Sequence, residues 1–139
     1  MTSVRVWRGS RVRWAPYAVL AAVIGAAGYV AMVDPNRPGH YPICPFYAIS
    51  GYYCPGCGSL RMVHALTHGH VAEAFGRNAL TLLTLPVLAY LWVRWAIAAR
   101  GGRPLQAKIL QPWVIIAFAV VSVVFWVVRN VPAGHALAP

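Results

Sequence analysis

Acidic residues are almost absent from this sequence. Asp34 and Glu73 are the only carboxylate side chains among its 139 residues, so a mechanism that needs a pair of carboxylates is excluded. Charged residues of both signs amount to 10% of the chain, whereas a soluble domain carries about 25%. Because so few charges cannot cover a water-exposed surface, the composition predicts a membrane protein.

Several catalytic signatures are also missing. The sequence has no Ser-His-Asp order, no glycine-rich loop for phosphate and no Cys-x-x-Cys-His motif for haem attachment. The net charge of +10 would suit nucleic acid, but the basic residues sit at the ends of apolar segments. Membrane topology and anionic headgroups favour basic residues at such positions. We therefore expect the lipid bilayer, and no nucleic acid, as a partner.

Three apolar runs predict three transmembrane helices. They cover residues 15–33, 79–99 and 113–130, and about twenty helical residues are enough to cross the ~30 Å hydrocarbon core. The first run is long for a signal-peptide core and no small-x-small cleavage site follows it, which favours an anchor. Two further expectations concern packing. A neighbouring helix should approach closely at Gly25 and Gly28, and the second span should kink at Pro86.

The connecting segments indicate an orientation. Residues 1–14 are a basic membrane-surface segment, residues 100–112 a basic loop, and residues 131–139 a tail that we expect to be coil. With the N-terminus in the cytoplasm, eight basic residues lie inside and four outside, as the positive-inside rule requires. Residues 34–78 then face outward. The inner residues are Arg5, Arg8, Arg11, Arg13, Arg94, Arg100, Arg103 and Lys108, and the outer ones are Arg37, Arg61, Arg77 and Arg129.

Residues 34–78 contain all three cysteines of the chain, Cys44, Cys54 and Cys57. The last two lie in a Cys-Pro-Gly-Cys-Gly motif, where proline and glycine allow a tight turn that points both sulfurs at one centre. With Cys44 as the third ligand and His64 as the fourth, the segment predicts a Cys3His zinc site. The motif resembles one knuckle of a zinc ribbon, whose second knuckle is here replaced by a lone Cys-Pro.

Two other interpretations of the cysteines remain open. Cys54 and Cys57 can cycle between dithiol and disulfide beside a quinone, with Cys44 as a resolving thiol, although the βαβ pattern of the best-known Cys-x-x-Cys redox proteins is absent. A disulfide from Cys44 to Cys54 or Cys57 can instead staple the loop, because an outward location is oxidising in most bacteria.

Two short helices are predicted around the motif. The first covers residues 60–68, with Ser59 as its N-cap and Gly69 at its end, and the second covers residues 70–78. Thiols just before a helix N-terminus feel its dipole, which favours the thiolate form. One face of the first helix carries polar residues that predict a stripe beneath the cysteines. These residues are Arg61, His64 and His68.

A spaced set of residues leads from the first cysteine into the second span: Cys44-Pro45, Ser50-Gly51, Cys54-Pro55-Gly56-Cys57-Gly58, Arg61, Gly69, Ala74 and Asn78. This set resembles the signature of a widespread bacterial membrane family known only as a domain of unknown function. The resemblance covers residues 44–95 and implies a small multi-spanning protein with a cysteine motif beside the membrane, without naming an activity. The chain departs from the family pattern at Leu60, Met62 and His70.

We therefore expect an all-α integral membrane protein with three transmembrane helices, two short interfacial helices and a Cys-rich loop. It is expected in the bacterial cell membrane, with the N-terminus in the cytoplasm and the loop outside. The favoured function is a non-enzymatic accessory subunit whose loop is fixed by zinc or a disulfide, with a membrane-protein partner or a second copy. A membrane thiol oxidoreductase that uses Cys54 and Cys57, and a metal-handling protein whose ion is cargo, are the alternatives.

Overall fold

The fold is that of a computed structural model, which describes residues 10–101 and 111–137. Predictions for residues 1–9, 102–110 and 138–139 lie outside this part of the chain. The described residues form helices and no strand. The helices are α1 (Ser10–Met32), α2 (Pro45–Ser50), α3 (Ser59–Thr67), α4 (Val71–Arg100), α5 (Pro112–Arg129) and a 3-10 helix (Pro132–Leu137).

Three of these helices are long and apolar enough to cross a membrane: Arg13–Met32 within α1, all of α4 and all of α5. The prediction of an all-α membrane protein is confirmed. Most side chains of the three spans are exposed in the isolated chain, as expected for helices whose apolar surface is covered by lipid.

Helix α1 runs alongside α4, and contacts near the ends of both helices fix their relative direction. The indole N–H of Trp92 donates to the carbonyl oxygen of Pro16 at 2.9 Å, and Arg100 donates to the Tyr17 hydroxyl. The start of α1 therefore lies beside the end of α4. The described basic residues of α1 and of the second half of α4 lie at this end, and those of the Cys-rich loop lie at the other.

The core of the described chain lies between α3 and α4. Met62 and Ala65 on α3 and Ala74 on α4 are almost completely buried. The partly buried residues that pack against them are Val63, Leu66, Leu82 and Leu85. This contact fixes the short helix after the cysteine motif against the start of the second span.

Helix α4 is broken at Asn78, and not at Pro86 as the sequence predicts. Asn78 has an extended backbone (φ −161°, ψ 89°), whereas Pro86 lies inside the helix without such a departure. The Asn78 side chain explains the break, because its Oδ1 accepts a hydrogen bond from the Thr81 amide at 3.0 Å and caps the part of α4 that follows. The residues before Asn78 form a short separate helical piece.

The predicted role of Gly25 and Gly28 is wrong within this chain. Both residues are exposed, and a Cβ added at either would meet nothing within 4 Å. Contacts from α1 come from other positions, such as Pro16 and Val30, which are buried.

The tail after α5 is helical rather than coil. It turns back in the 3-10 helix Pro132–Leu137, which contacts α4 and α5. Gly134 is buried there against the main-chain carbonyl of Val128. Only a residue without a Cβ allows two backbones to approach so closely.

Replacing Gly134 by alanine tests this contact. The added Cβ would collide with the Val128 carbonyl group, which is main chain and cannot rotate away. We expect the free energy of unfolding to fall by about 1–3 kcal/mol, the usual cost of overpacking, and the thermal midpoint in detergent to fall with it. Gly25→Ala is the matched control, because its Cβ meets open space and the midpoint should stay or rise slightly. Equal midpoints for both variants would contradict the close approach.

Candidate metal centre

Cys54 and Cys57 lie on a tight turn that leads directly into α3. The Cys57 amide donates to the Cys54 carbonyl oxygen at 3.1 Å, and the Ser59 amide donates to that of Gly56 at 3.1 Å. Gly58 has a left-handed backbone (φ 85°), which glycine adopts without strain, and is the residue that precedes the helix. Pro55, Gly56 and Gly58 of the motif therefore determine the conformation of the turn.

The first cysteine reaches this turn from the start of α2. Cys44 is the N-cap residue of α2, and Pro45 occupies the first helical position, where its missing N–H costs nothing. Helix α2 is held over the turn by aromatic contacts, since Tyr47 stacks on Tyr53 with ring centroids 4.9 Å apart and Phe46 meets Trp126 of α5 edge-on.

The three sulfur atoms converge on one point. The Sγ atoms of Cys54 and Cys57 are 3.2 Å apart, those of Cys44 and Cys54 are 3.6 Å apart, and all three lie within 4.8 Å of one another. Three thiolates bound to one tetrahedral zinc ion at ~2.3 Å would have sulfur atoms about 3.8 Å apart. The thiols are not joined by a disulfide. The cluster therefore has the donors and approximate spacing for a metal ion.

Arg129, the last residue of α5, holds the turn from behind. Its guanidinium group donates to the carbonyl oxygens of Cys54 at 3.0 Å, of Pro55 at 3.4 Å and of Cys57 at 3.2 Å from both terminal nitrogens. The side chain is buried and lies over the Phe125 ring. Neither carboxylate of the chain forms an ion pair with it. Sequence reasoning placed Arg129 only as an outer flanking charge and missed this role.

Two asparagines complete the support of the turn. Asn78, at the break in α4, donates to the carbonyl oxygens of Pro55 at 2.9 Å and Cys57 at 3.0 Å. Asn130 accepts from the Tyr53 amide at 2.8 Å and donates to the Tyr53 carbonyl oxygen at 2.9 Å. Because the carbonyls of the turn are paired behind it, its sulfur atoms remain free to bind a ligand in front.

Ser59 is not the N-cap of α3, contrary to the sequence prediction. It is the first residue of the helix, and its hydroxyl group lies 2.9 Å from the Thr81 hydroxyl and accepts from Asn78 at 3.2 Å. The left-handed Gly58 takes the capping position instead. Gly69, with φ 79°, lies just beyond the other end of α3, as predicted.

The structure does not bring His64 to the sulfur atoms, so the predicted Cys3His ligand set is not formed. Its Nδ1 lies 2.8 Å from the Val30 carbonyl oxygen at the end of α1, and its Nε2 lies 3.8 Å from Asp34 Oδ1. The rings of His64 and His68 pack together at 4.4 Å. These two histidines share a face, as predicted, but that face packs beside the end of α1 rather than beneath the cysteines.

The pKa values of two of the thiols depart from the ordinary value in opposite directions. The pKa of Cys44 lies below its ordinary value, chiefly because the Tyr47 amide in α2 donates to its sulfur, with help from the Cys57 and Cys54 thiols. Burial, together with the hydrogen bond to Cys54, raises the pKa of Cys57 to about 12. Burial and this hydrogen bond therefore oppose the effect of the α3 dipole on the Cys57 thiol. Metal binding must release protons from this cluster, so the metal affinity should rise with pH.

A cleft of about 700 Å³ opens in front of the three cysteines, between residues 35–47 and the turn. Two arginines and three tyrosines line it, and no histidine or carboxylate among the described residues does. These five residues are Arg37, Arg61, Tyr41, Tyr47 and Tyr53. The cleft therefore presents three thiols in a basic and aromatic surrounding.

Comparison with known protein families matches part of the chain. Residues 44–92 match the model of a family described as a protein of unknown function (DUF2752). The resemblance to a family of unknown function, expected from the motif, is confirmed. No curated protein and no solved structure matches the chain.

Arg129→Lys tests the support of the turn. Lysine keeps the charge but lacks the planar fork that reaches three carbonyl groups. The loss of these charged hydrogen bonds should lower the free energy of local unfolding of the turn by about 2 kcal/mol, which makes local opening about thirtyfold more frequent. Hydrogen exchange of the peptide that contains residues 52–61, followed by mass spectrometry, measures this opening. Arg77→Lys is the control, because Arg77 only forms a partly exposed pair with Glu73. The account fails if the two variants exchange alike in this peptide.

Proposed function

We propose that this protein is a small multi-pass membrane protein whose Cys-rich loop binds one zinc ion through Cys44, Cys54 and Cys57. The observation that carries the proposal is the convergence of three unbonded sulfur atoms within 4.8 Å. Thiolates are soft ligands, and a set of them arranged around one point favours zinc among the common divalent ions.

Charge balance supports a dication at this position. Three thiolates and one divalent ion carry a net charge of −1. The buried guanidinium group of Arg129, which binds the backbone of two of the three cysteines, carries +1 and has no carboxylate partner in the described chain. A buried charge without a counter-charge is costly. The metal-bound cluster would supply that counter-charge.

We further propose a non-enzymatic, accessory role in the membrane. The described lining of the cleft offers no histidine or carboxylate as a general base. The three spans expose apolar faces that lipid tails, a partner's helices or a second copy can cover. In the sequence, eight basic residues lie in or next to the α1 start and the α4 end, against four elsewhere, and this excess favours a cytoplasmic location for that side. The zinc loop would then face the outside of a bacterial cell.

A thiol oxidoreductase is the second candidate, and the 3.2 Å distance between the Cys54 and Cys57 sulfur atoms favours it. In this reaction a Cys54–Cys57 disulfide would accept two electrons and two protons from a substrate dithiol. The substrate would leave as a disulfide and the protein as a dithiol. Cys44, whose sulfur lies 3.6 Å from that of Cys54, would exchange with the oxidised pair before that reaction: a Cys44–Cys54 disulfide forms, the Cys54–Cys57 bond breaks and Cys57 leaves as the thiol, with no net transfer of electrons.

Elemental analysis of protein purified in detergent without reductant tests the zinc site. We expect about one zinc per chain, and three thiols that react with an alkylating reagent after denaturation in the presence of a chelator. Cys44→Ser, Cys54→Ser and Cys57→Ser should each lower the zinc content to well below half. His64→Ala is the control and should keep the metal, because its ring lies at the end of α1.

Two results would decide against this proposal. Protein without metal and with a Cys54–Cys57 disulfide would favour the oxidoreductase. Loss of zinc from His64→Ala with an unchanged thermal midpoint would make His64 a ligand and contradict the arrangement of the site.

A further inference from the structure

We propose that the metal site is open, and that its fourth ligand is a small external anion that enters through the cleft and pairs with Arg61. This inference rests on the proposed zinc site and adds the chemistry of what binds there. Zinc sites that only stabilise a fold have four protein ligands, whereas sites with three protein ligands keep a position for water or for another molecule.

The described residues around the cleft provide no fourth protein ligand of the usual kinds. The lining contains three cysteines but no histidine, aspartate or glutamate. Two of its four hydroxyl groups are engaged, since Tyr41 donates to the Val33 carbonyl oxygen at 3.0 Å and Ser59 is hydrogen-bonded to Asn78 and Thr81. The other two belong to Tyr47 and Tyr53, and tyrosine is not among the usual protein ligands of zinc. A metal ion held by the three sulfur atoms would therefore complete its coordination from the cleft.

Arg61 differs from the other arginines on this side of the molecule. Arg37 lies 3.9 Å from Asp34, Arg77 pairs with Glu73, and Arg129 binds the carbonyl groups of the turn. Arg61 is half-buried, lines the cleft, and has no hydrogen-bond or ion-pair partner among the described residues. A partly desolvated guanidinium group without a partner is suited to bind an anion, most strongly a carboxylate in the forked arrangement.

These two features favour one class of ligand, because a soft sulfur donor suits a metal ion already held by thiolates and a carboxylate suits a free guanidinium group. It carries a thiolate that binds the metal and a carboxylate that reaches Arg61, and a cleft of about 700 Å³ is large enough for a small molecule of this kind. Binding exchanges one ligand for another: the thiol loses its proton to solvent, the sulfur binds the metal ion, and the metal-bound water leaves. No electron is transferred.

The cobalt-substituted protein in detergent tests this inference, because cobalt(II) reports its ligands by its absorption spectrum. Three probes separate the two contacts: mercaptoacetate has a thiol and a carboxylate, 2-mercaptoethanol only the thiol, and acetate only the carboxylate. We expect both thiols to add a sulfur-to-cobalt charge-transfer band, with mercaptoacetate binding about tenfold more tightly, since one charged hydrogen-bonded pair is worth about that factor. Acetate should bind weakly. Dialysis and elemental analysis check that cobalt stays on the protein.

Two variants test the role of Arg61. Arg61→Gln should keep the cobalt and the response to 2-mercaptoethanol but lose the tenfold preference for mercaptoacetate. Arg77→Gln, whose partner Glu73 lies outside the cleft, should keep the preference.

Each contrary result has a distinct meaning. If the protein binds no cobalt, the zinc site itself is wrong. If cobalt is bound but no thiol changes its spectrum, or if thiols only extract it, the site is closed and the external ligand is wrong. If Arg61→Gln keeps the preference for mercaptoacetate, Arg61 is not the anion partner.

Discussion

The buried guanidinium group of Arg129 is the interaction on which the rest of the site depends. It binds the carbonyl oxygens of Cys54, Pro55 and Cys57 from the end of α5. Each hydrogen bond from a charged donor contributes about 1.5–3 kcal/mol, while removal of the charge from water costs several kcal/mol. These terms are of similar size. Arg129 therefore contributes little to the net free energy of unfolding. Its main effect is to select one conformation of the turn, in which the carbonyl groups point toward Arg129 and the sulfur atoms point toward the cleft.

This constraint also explains how the weakly packed helix α5 is joined to the rest of the protein. Helix α5 is exposed along most of its length, and its described connections to the loop come mainly from its end, through Arg129, Asn130 and the Trp126 ring. Helix α4 reaches the same turn through Asn78, where its own backbone breaks. The turn is thus the meeting point of two spans. A metal ion on its front surface would be held by a rigid support.

Much of the architecture could be predicted because it follows from local chemistry. The length of the apolar runs predicts the spans, and Pro-Gly spacing predicts a turn that brings Cys54 and Cys57 together. The errors concern contacts between distant segments. Arg129 and Cys57 are 72 positions apart, and no local pattern distinguishes a buried arginine from one that reaches the headgroups. His64 has suitable spacing for a ligand, but the approach of α1 provides the Val30 carbonyl oxygen instead. Gly25 and Gly28 form a small surface, yet the helices that pack on α1 meet it elsewhere.

Zinc-edge X-ray absorption of protein purified without added thiols tests the central claim most directly, because it counts the atoms bound to the metal. The account predicts three sulfur atoms at about 2.3 Å and one oxygen or nitrogen atom at about 2.0 Å, with the sulfur count falling to two in Cys44→Ser if that variant retains zinc. A shell that contains only oxygen and nitrogen would contradict an open three-cysteine centre built on this turn. A shell of four sulfur atoms would contradict it as well, because the chain has three cysteines and a fourth cysteine would have to come from a second copy.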